Sequence, residues 1–78
     1  MLSETVRAGM REGDIGMQLG EIAKANPGVA IGSYPFFDPQ HANTNVGLRA
    51  RDAQKLAQAK REVEEMLERV RQAQSKGA

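Results

Sequence analysis

One histidine stands in the chain, His41, three residues after Asp38 in the stretch Asp38-Pro39-Gln40-His41. A carboxylate beside an imidazole could hold a metal or move a proton, but either task needs more converging groups than these two. The preferred reading of His41 is a solvent-exposed loop residue. Ser33 has no histidine at motif spacing and no nucleophile-elbow pattern around it, so covalent catalysis has no anchor there. Cysteine is absent, which removes disulfides, thiolate metal sites and thiol nucleophiles together. No catalytic, cofactor-binding or metal-ligating residue is assigned, and the chain by itself reads as a non-enzyme.

Gly13-Asp14-Ile15-Gly16 carries the letters G-x-x-G with which KH domains clamp a nucleic-acid backbone. Such a clamp wants basic or neutral residues between its glycines, and Asp14 would repel phosphate. The alternative is a glycine at a helix start. Eleven Lys and Arg against ten Asp and Glu leave a net charge of +1, without the basic excess of a nucleic-acid module. Tyr34, Phe36 and Phe37 are the only aromatics, too few for a stacking platform. Nucleic acid is therefore a disfavoured partner.

These residues must be positioned by a small number of elements. At 78 residues the chain has room for one domain with a thin core. Nothing between Met1 and Gly20 resembles a signal peptide, and no apolar run approaches the ~20 residues of a membrane span; the expectation is a soluble, cytoplasmic protein. Ser3 to Met10 alternates, with Glu4, Val6, Ala8 and Met10 on one side, and reads as a strand. Asp14 is expected to cap a helix carrying Ile15, Leu19, Ile22 and Ala23 at helical spacing, ended by Asn26-Pro27-Gly28. Val29 to Tyr34 reads as a second strand, ended by Pro35. Phe36 to Asn43 reads as a loop, and Asn45 to Arg51 as a third strand with Val46, Leu48 and Ala50 inward. Asp52 should cap a long helix with Leu56, Ala59, Val63, Met66, Leu67 and Val70 on one stripe. Lys60/Glu64, Arg61/Glu65 and Glu65/Arg69 are placed to pair along its exposed side. That helix is expected to fray near Gln72, so that residues 1–74 form the domain and 75–78 a disordered tail.

The order β-α-β-β-α defines an α+β fold. The first two strands want a right-handed crossover, and the third can insert between them. The result is a two-layer split βαβ sandwich with both helices on one face of a three-stranded sheet, a truncated ferredoxin-like or KH-like arrangement. Strand parity then puts Thr5, Arg7, Ala30, Gly32, Tyr34, Gly47, Arg49 and Arg51 on the open face. Small residues allow close approach, and arginine and tyrosine are favoured in interfaces. A solvated sheet face is the alternative, its arginine stems lying over apolar surface. The candidate interface residues are Arg7, Gly32, Ser33, Tyr34, Pro35, Arg49 and Arg51.

Pro27-Gly28-Val29-Ala30-Ile31-Gly32-Ser33-Tyr34-Pro35 and Val46-Gly47-Leu48-Arg49-Ala50-Arg51-Asp52 resemble the region that follows the molybdopterin-binding-type domain of CinA-like (competence/damage-inducible) proteins. They are similar also to the region following the FAD-hydrolase-like domain of eukaryotic FAD synthases. Glu12-Gly13-Asp14-Ile15 resembles the family's entry into its first helix, and the likeness covers about residues 3 to 70. It implies a catalytic or ligand-binding domain related to MoaB and MogA, N-terminal to this chain and not in it. That domain would handle molybdopterin or a nucleotide with a divalent metal, and some members hydrolyse nucleotide pyrophosphates. It leaves open whether Met1 is a natural start, and no active-site residue is carried over. The favoured role is that of a non-catalytic accessory domain that packs against or dimerises this neighbour, through the open sheet face or the free edge of the first strand, with a homo-oligomer as a further expected partner. The alternative is a small KH-like module that binds nucleic acid or a phosphorylated ligand through Arg7, Arg49 and Arg51.

Overall fold

Alternation in three stretches and a 3.6-residue period in two others produce the elements in the expected order. A computed structural model describes residues 1–37 and 42–76. Its strands are β1 (Leu2–Arg7), β2 (Val29–Phe37) and β3 (Ala42–Ala50), and its helices α1 (Gly16–Ala25) and α2 (Ala53–Lys76). β3 lies in the middle of the sheet and runs antiparallel to both neighbours. β1 and β2 are therefore parallel to each other, joined through α1, as a split βαβ unit requires. Val46, Leu48 and Ala50 point from β3 into the core and meet Ile15, Leu19 and Ile22 from one side and Leu56, Ala59, Val63, Met66 and Leu67 from the other. Ile31 is half-buried and packs at the edge of this core.

Four local expectations are corrected. β1 stops at Arg7 rather than Met10, because Gly9 takes a positive φ of 72° and turns the chain; Ala8 and Met10 stay buried beyond the strand. Asp14 does not cap α1: it ends a short 3-10 turn over Glu12–Asp14, and Ile15 holds the cap position without a side-chain bond. Pro35 does not end β2, which runs on to Phe37 with Pro35 opposite Thr44. The backbone of Thr44 turns toward the other side, where its carbonyl accepts from the Ala8 amide at 2.8 Å. Pairs alternate along an antiparallel ladder, so the position of Pro35 asks for no bond to β3 and its missing N–H faces away from the sheet. Accordingly Phe36, Phe37, Ala42 and Asn43 belong to strands and not to a loop, while residues 38–41, including His41, lie outside the described residues. α2 continues to Lys76, past the expected fraying point and two residues into the stretch read as a tail.

Asp52 does cap α2. Its Oδ1 accepts from the amides of Gln54 at 2.8 Å and Lys55 at 3.3 Å. The end of α1 is tied by Asn26, whose side-chain amide donates to the Ile22 carbonyl at 2.8 Å and to Glu62 Oε1 on α2 at 3.2 Å. Lys60 does not pair with Glu64 along its helix; its Nζ reaches Glu4 Oε2 on β1 at 3.7 Å. That contact explains how a glutamate can begin the inward set of β1. It sits at the rim, half-exposed, where its charge stays wet and has a partner.

Candidate functional site

The sheet has one face free of helices, and register rather than chain order decides what stands there. Ser3, Arg49 and Ala30 form one cross-strand row, Thr5, Gly47 and Gly32 the next, and Arg7, Asn45 and Tyr34 the third. The middle row is low because two of its members lack a side chain. Tyr34 fills it: the ring leans inward from edge strand β2 across both glycines. A Cβ built on Gly47 would stand 2.9 Å from Tyr34 Cε2, and one on Gly32 would stand 3.4 Å from the hydroxyl. Tyr34 is nonetheless 58% exposed. Its upper face is open to solvent while its lower face rests on backbone.

Shallow hollows flank the ring. One, of about 180 Å³, is bordered by Ala30, Gly32, Tyr34, Gly47 and Arg49. The other, also about 180 Å³, is bordered by Ser3, Glu4, Thr5, Tyr34, Gly47, Leu48 and Arg49. Tyr34 and Arg49 therefore share both hollows. Register places two arginines, Arg7 and Arg49, on this face.

The structure brings together Arg7, Gly32, Tyr34 and Arg49 of the expected set. Ser33 is not with them: it alternates to the helix side, opposite Val46, and borders a hollow with Gly16, Leu19 and Ala23. Arg51 lies one residue past β3 in a bend, exposed, so no register holds it to the face. Pro35 belongs to β2 by backbone pairing. Gly47 proves more important than its place in the sequence suggested, because it forms the seat of the Tyr34 ring. The signal was the shared row of two glycines, which appears only once the register is known. Gly13 and Gly16 do not form a clamp loop: the first is in the 3-10 turn and the second opens α1. Among the described residues no helix is long and apolar enough to cross a membrane, and no three His, Cys, Asp or Glu side chains cluster as metal ligands would.

The chain is a two-layer α+β domain with one sheet face free of helices, on which Tyr34 and Arg49 stand exposed. Residues 1–74 match the family described as FAD synthase, middle domain, and the chain belongs to that family. No curated protein and no solved structure matches it. The family match agrees with the FAD-synthase side of the resemblance and does not extend to the CinA-like or MoaB/MogA-related side.

Proposed function

We propose that this chain is a non-catalytic accessory domain of an FAD-synthase-type protein, which packs through its open sheet face against a nucleotide- or pterin-handling domain of the same polypeptide. In its finer form the neighbour is a MoaB/MogA-related domain like that of CinA-like proteins, and molybdopterin or nucleotide and divalent metal belong to it. The observation that carries the reading is the Tyr34 ring, seated on Gly47 and Gly32 with its other face open and Arg49 beside it. A tyrosine held this way presents a rigid apolar plate with a hydroxyl at its end, at little entropic cost on binding. The exposed Arg49 suits a neighbour whose facing surface is acidic.

The test is titration of the chain against the domain that precedes it in the parent protein. Arg49→Glu should weaken association at least about tenfold and leave the melting temperature unchanged, because Arg49 is exposed and reversal of its charge opposes an acidic partner. Unchanged association in Arg49→Glu and Tyr34→Phe together would remove this face as the docking surface. Binding of random RNA that falls steeply with salt and is lost in Arg49→Glu would replace the reading with the phosphate-binding one. The chain alone should hydrolyse neither FAD nor ADP-ribose with magnesium, manganese or cobalt; turnover that survives repurification would overturn its non-catalytic role.

A further inference from the structure

The two edges of the sheet are built differently. On β2 the outward position of Pro35 lacks a donor, which blunts that edge against further pairing. β1 has no proline, no glycine and no bulge, and its register to β3 is unbroken from Leu2 to Arg7. Ala8 bonds to Thr44 directly opposite, so by alternation Val6, Glu4 and Leu2 turn their amides and carbonyls to β3, whereas Thr5 and Ser3 turn theirs outward. Beside this edge lies a groove of about 450 Å³, lined by Leu2, Ala53, Leu56 and Ala57 together with Glu4, Lys60, Arg61 and Glu64. Leu2 is left 45% exposed over it.

We propose that β1 pairs antiparallel with β1 of a second copy of this chain, joining two three-stranded sheets into one. The composition of β1 selects the register. Residues with outward backbone groups must face each other, which requires odd-numbered residues opposite odd-numbered ones. A register centred on Glu4 would set two glutamates opposite each other at a closely spaced pair, which is unfavourable. One centred on Val6 overlaps less of the strand. The register centred on Thr5 sets Thr5 against Thr5, Glu4 against Val6 and Ser3 against Arg7, with no like charges opposed and with a β-branched pair at the axis. It also places Leu2 of each copy opposite Ala8 of the other. The two-fold axis stands perpendicular to the sheet, so both open faces, each with its Tyr34 and Arg49, end on the same side of the dimer.

Sedimentation of the full chain across a range of concentrations reads this directly, and the cysteine-free sequence allows a position-specific check. The wild-type chain should dimerise reversibly. Thr5→Pro should weaken the dimer at least about tenfold, since it removes the paired donor at the axis in both copies. That variant keeps its ladder to β3, because the Thr5 amide points away from it, and a retained cooperative melt verifies its fold. Under mild oxidation Thr5→Cys should form a disulfide-linked dimer much faster than Met17→Cys on exposed α1, because directly opposed Cα atoms about 5.5 Å apart are within disulfide reach. A monomer at every concentration, a dimer unaffected by Thr5→Pro, or equal cross-linking of the two cysteine variants would each overturn the proposal.

Discussion

Replacing Gly47 by alanine adds one methyl group beneath the Tyr34 ring and asks whether the ring is seated or merely nearby. The new Cβ would stand 2.9 Å from Tyr34 Cε2, whereas carbon atoms rest at about 3.5–4.0 Å, so the ring must lift by at least about 0.6 Å. It can lift, because Tyr34 is 58% exposed. A tyrosine side chain buries roughly 200 Å² when fully covered, so a residue that is 58% exposed shields about 80 Å² and about 2 kcal/mol at roughly 25 cal/mol/Å². Against this loss, alanine regains about 0.5–1 kcal/mol over glycine in a strand. Gly47→Ala should therefore destabilise by up to about 1–1.5 kcal/mol. Gly32→Ala offers the same backbone gain, but its Cβ meets only the hydroxyl end of the ring, at 3.4 Å. It should be neutral or stabilising. The two single-methyl variants should melt up to about 8–16 °C apart in a domain of this size, with Gly32→Ala the higher. Tyr34 is the only tyrosine and there is no tryptophan, so intrinsic fluorescence reports the ring without interference. Its emission should change in Gly47→Ala and hold in Gly32→Ala. Equal melting temperatures and identical emission would refute the seating of Tyr34 on Gly47, and with it the structural basis for the docking face.

Leu48→Ala removes a fully buried side chain from the central strand and should cost about 2–5 kcal/mol, read as a collapse of the cooperative thermal melt. Asp52→Ala deletes the acceptor for the amides of Gln54 and Lys55 and should cost about 1 kcal/mol by urea unfolding, with Asp52→Asn nearly neutral. Gly9→Ala should lose about 1–2 kcal/mol through backbone strain alone, since φ is 72° and a Cβ there would meet nothing nearer than Arg71 Nη2 at 4.0 Å. A chemical melt that leaves Gly9→Ala as stable as the parent would show that the turn relaxes.

What the sequence by itself determined is what local chemistry can encode. Alternation in Asn45 to Arg51 marked β3, and the Leu56-to-Val70 stripe behind Asp52 marked α2 and its cap. The order of elements, with the handedness of the crossover, then led to the sheet order. Each of these rests on periods and caps within a few residues. The tertiary structure alone decided the rest, because the deciding atoms come from distant parts of the chain. Pro35 looked like a strand stop, but proline breaks a ladder only where its nitrogen faces a partner, and its edge place and register put that nitrogen outside. Lys60 found Glu4 across the helix–sheet interface in preference to Glu64 one turn away. Asn26, legible as a helix stop, also reaches Glu62 on the second helix. Ser33 and Tyr34 were read together as neighbours in sequence, yet the pleat sends them to opposite faces. Gly32 and Gly47, fifteen positions apart, become one seat for the tyrosine ring only when β2 and β3 pair in register. Composition could show that an open face would hold arginine, glycine and tyrosine; the pairing register decided which of them touch, since a shift of one residue would turn every one of these side chains to the other side of the sheet.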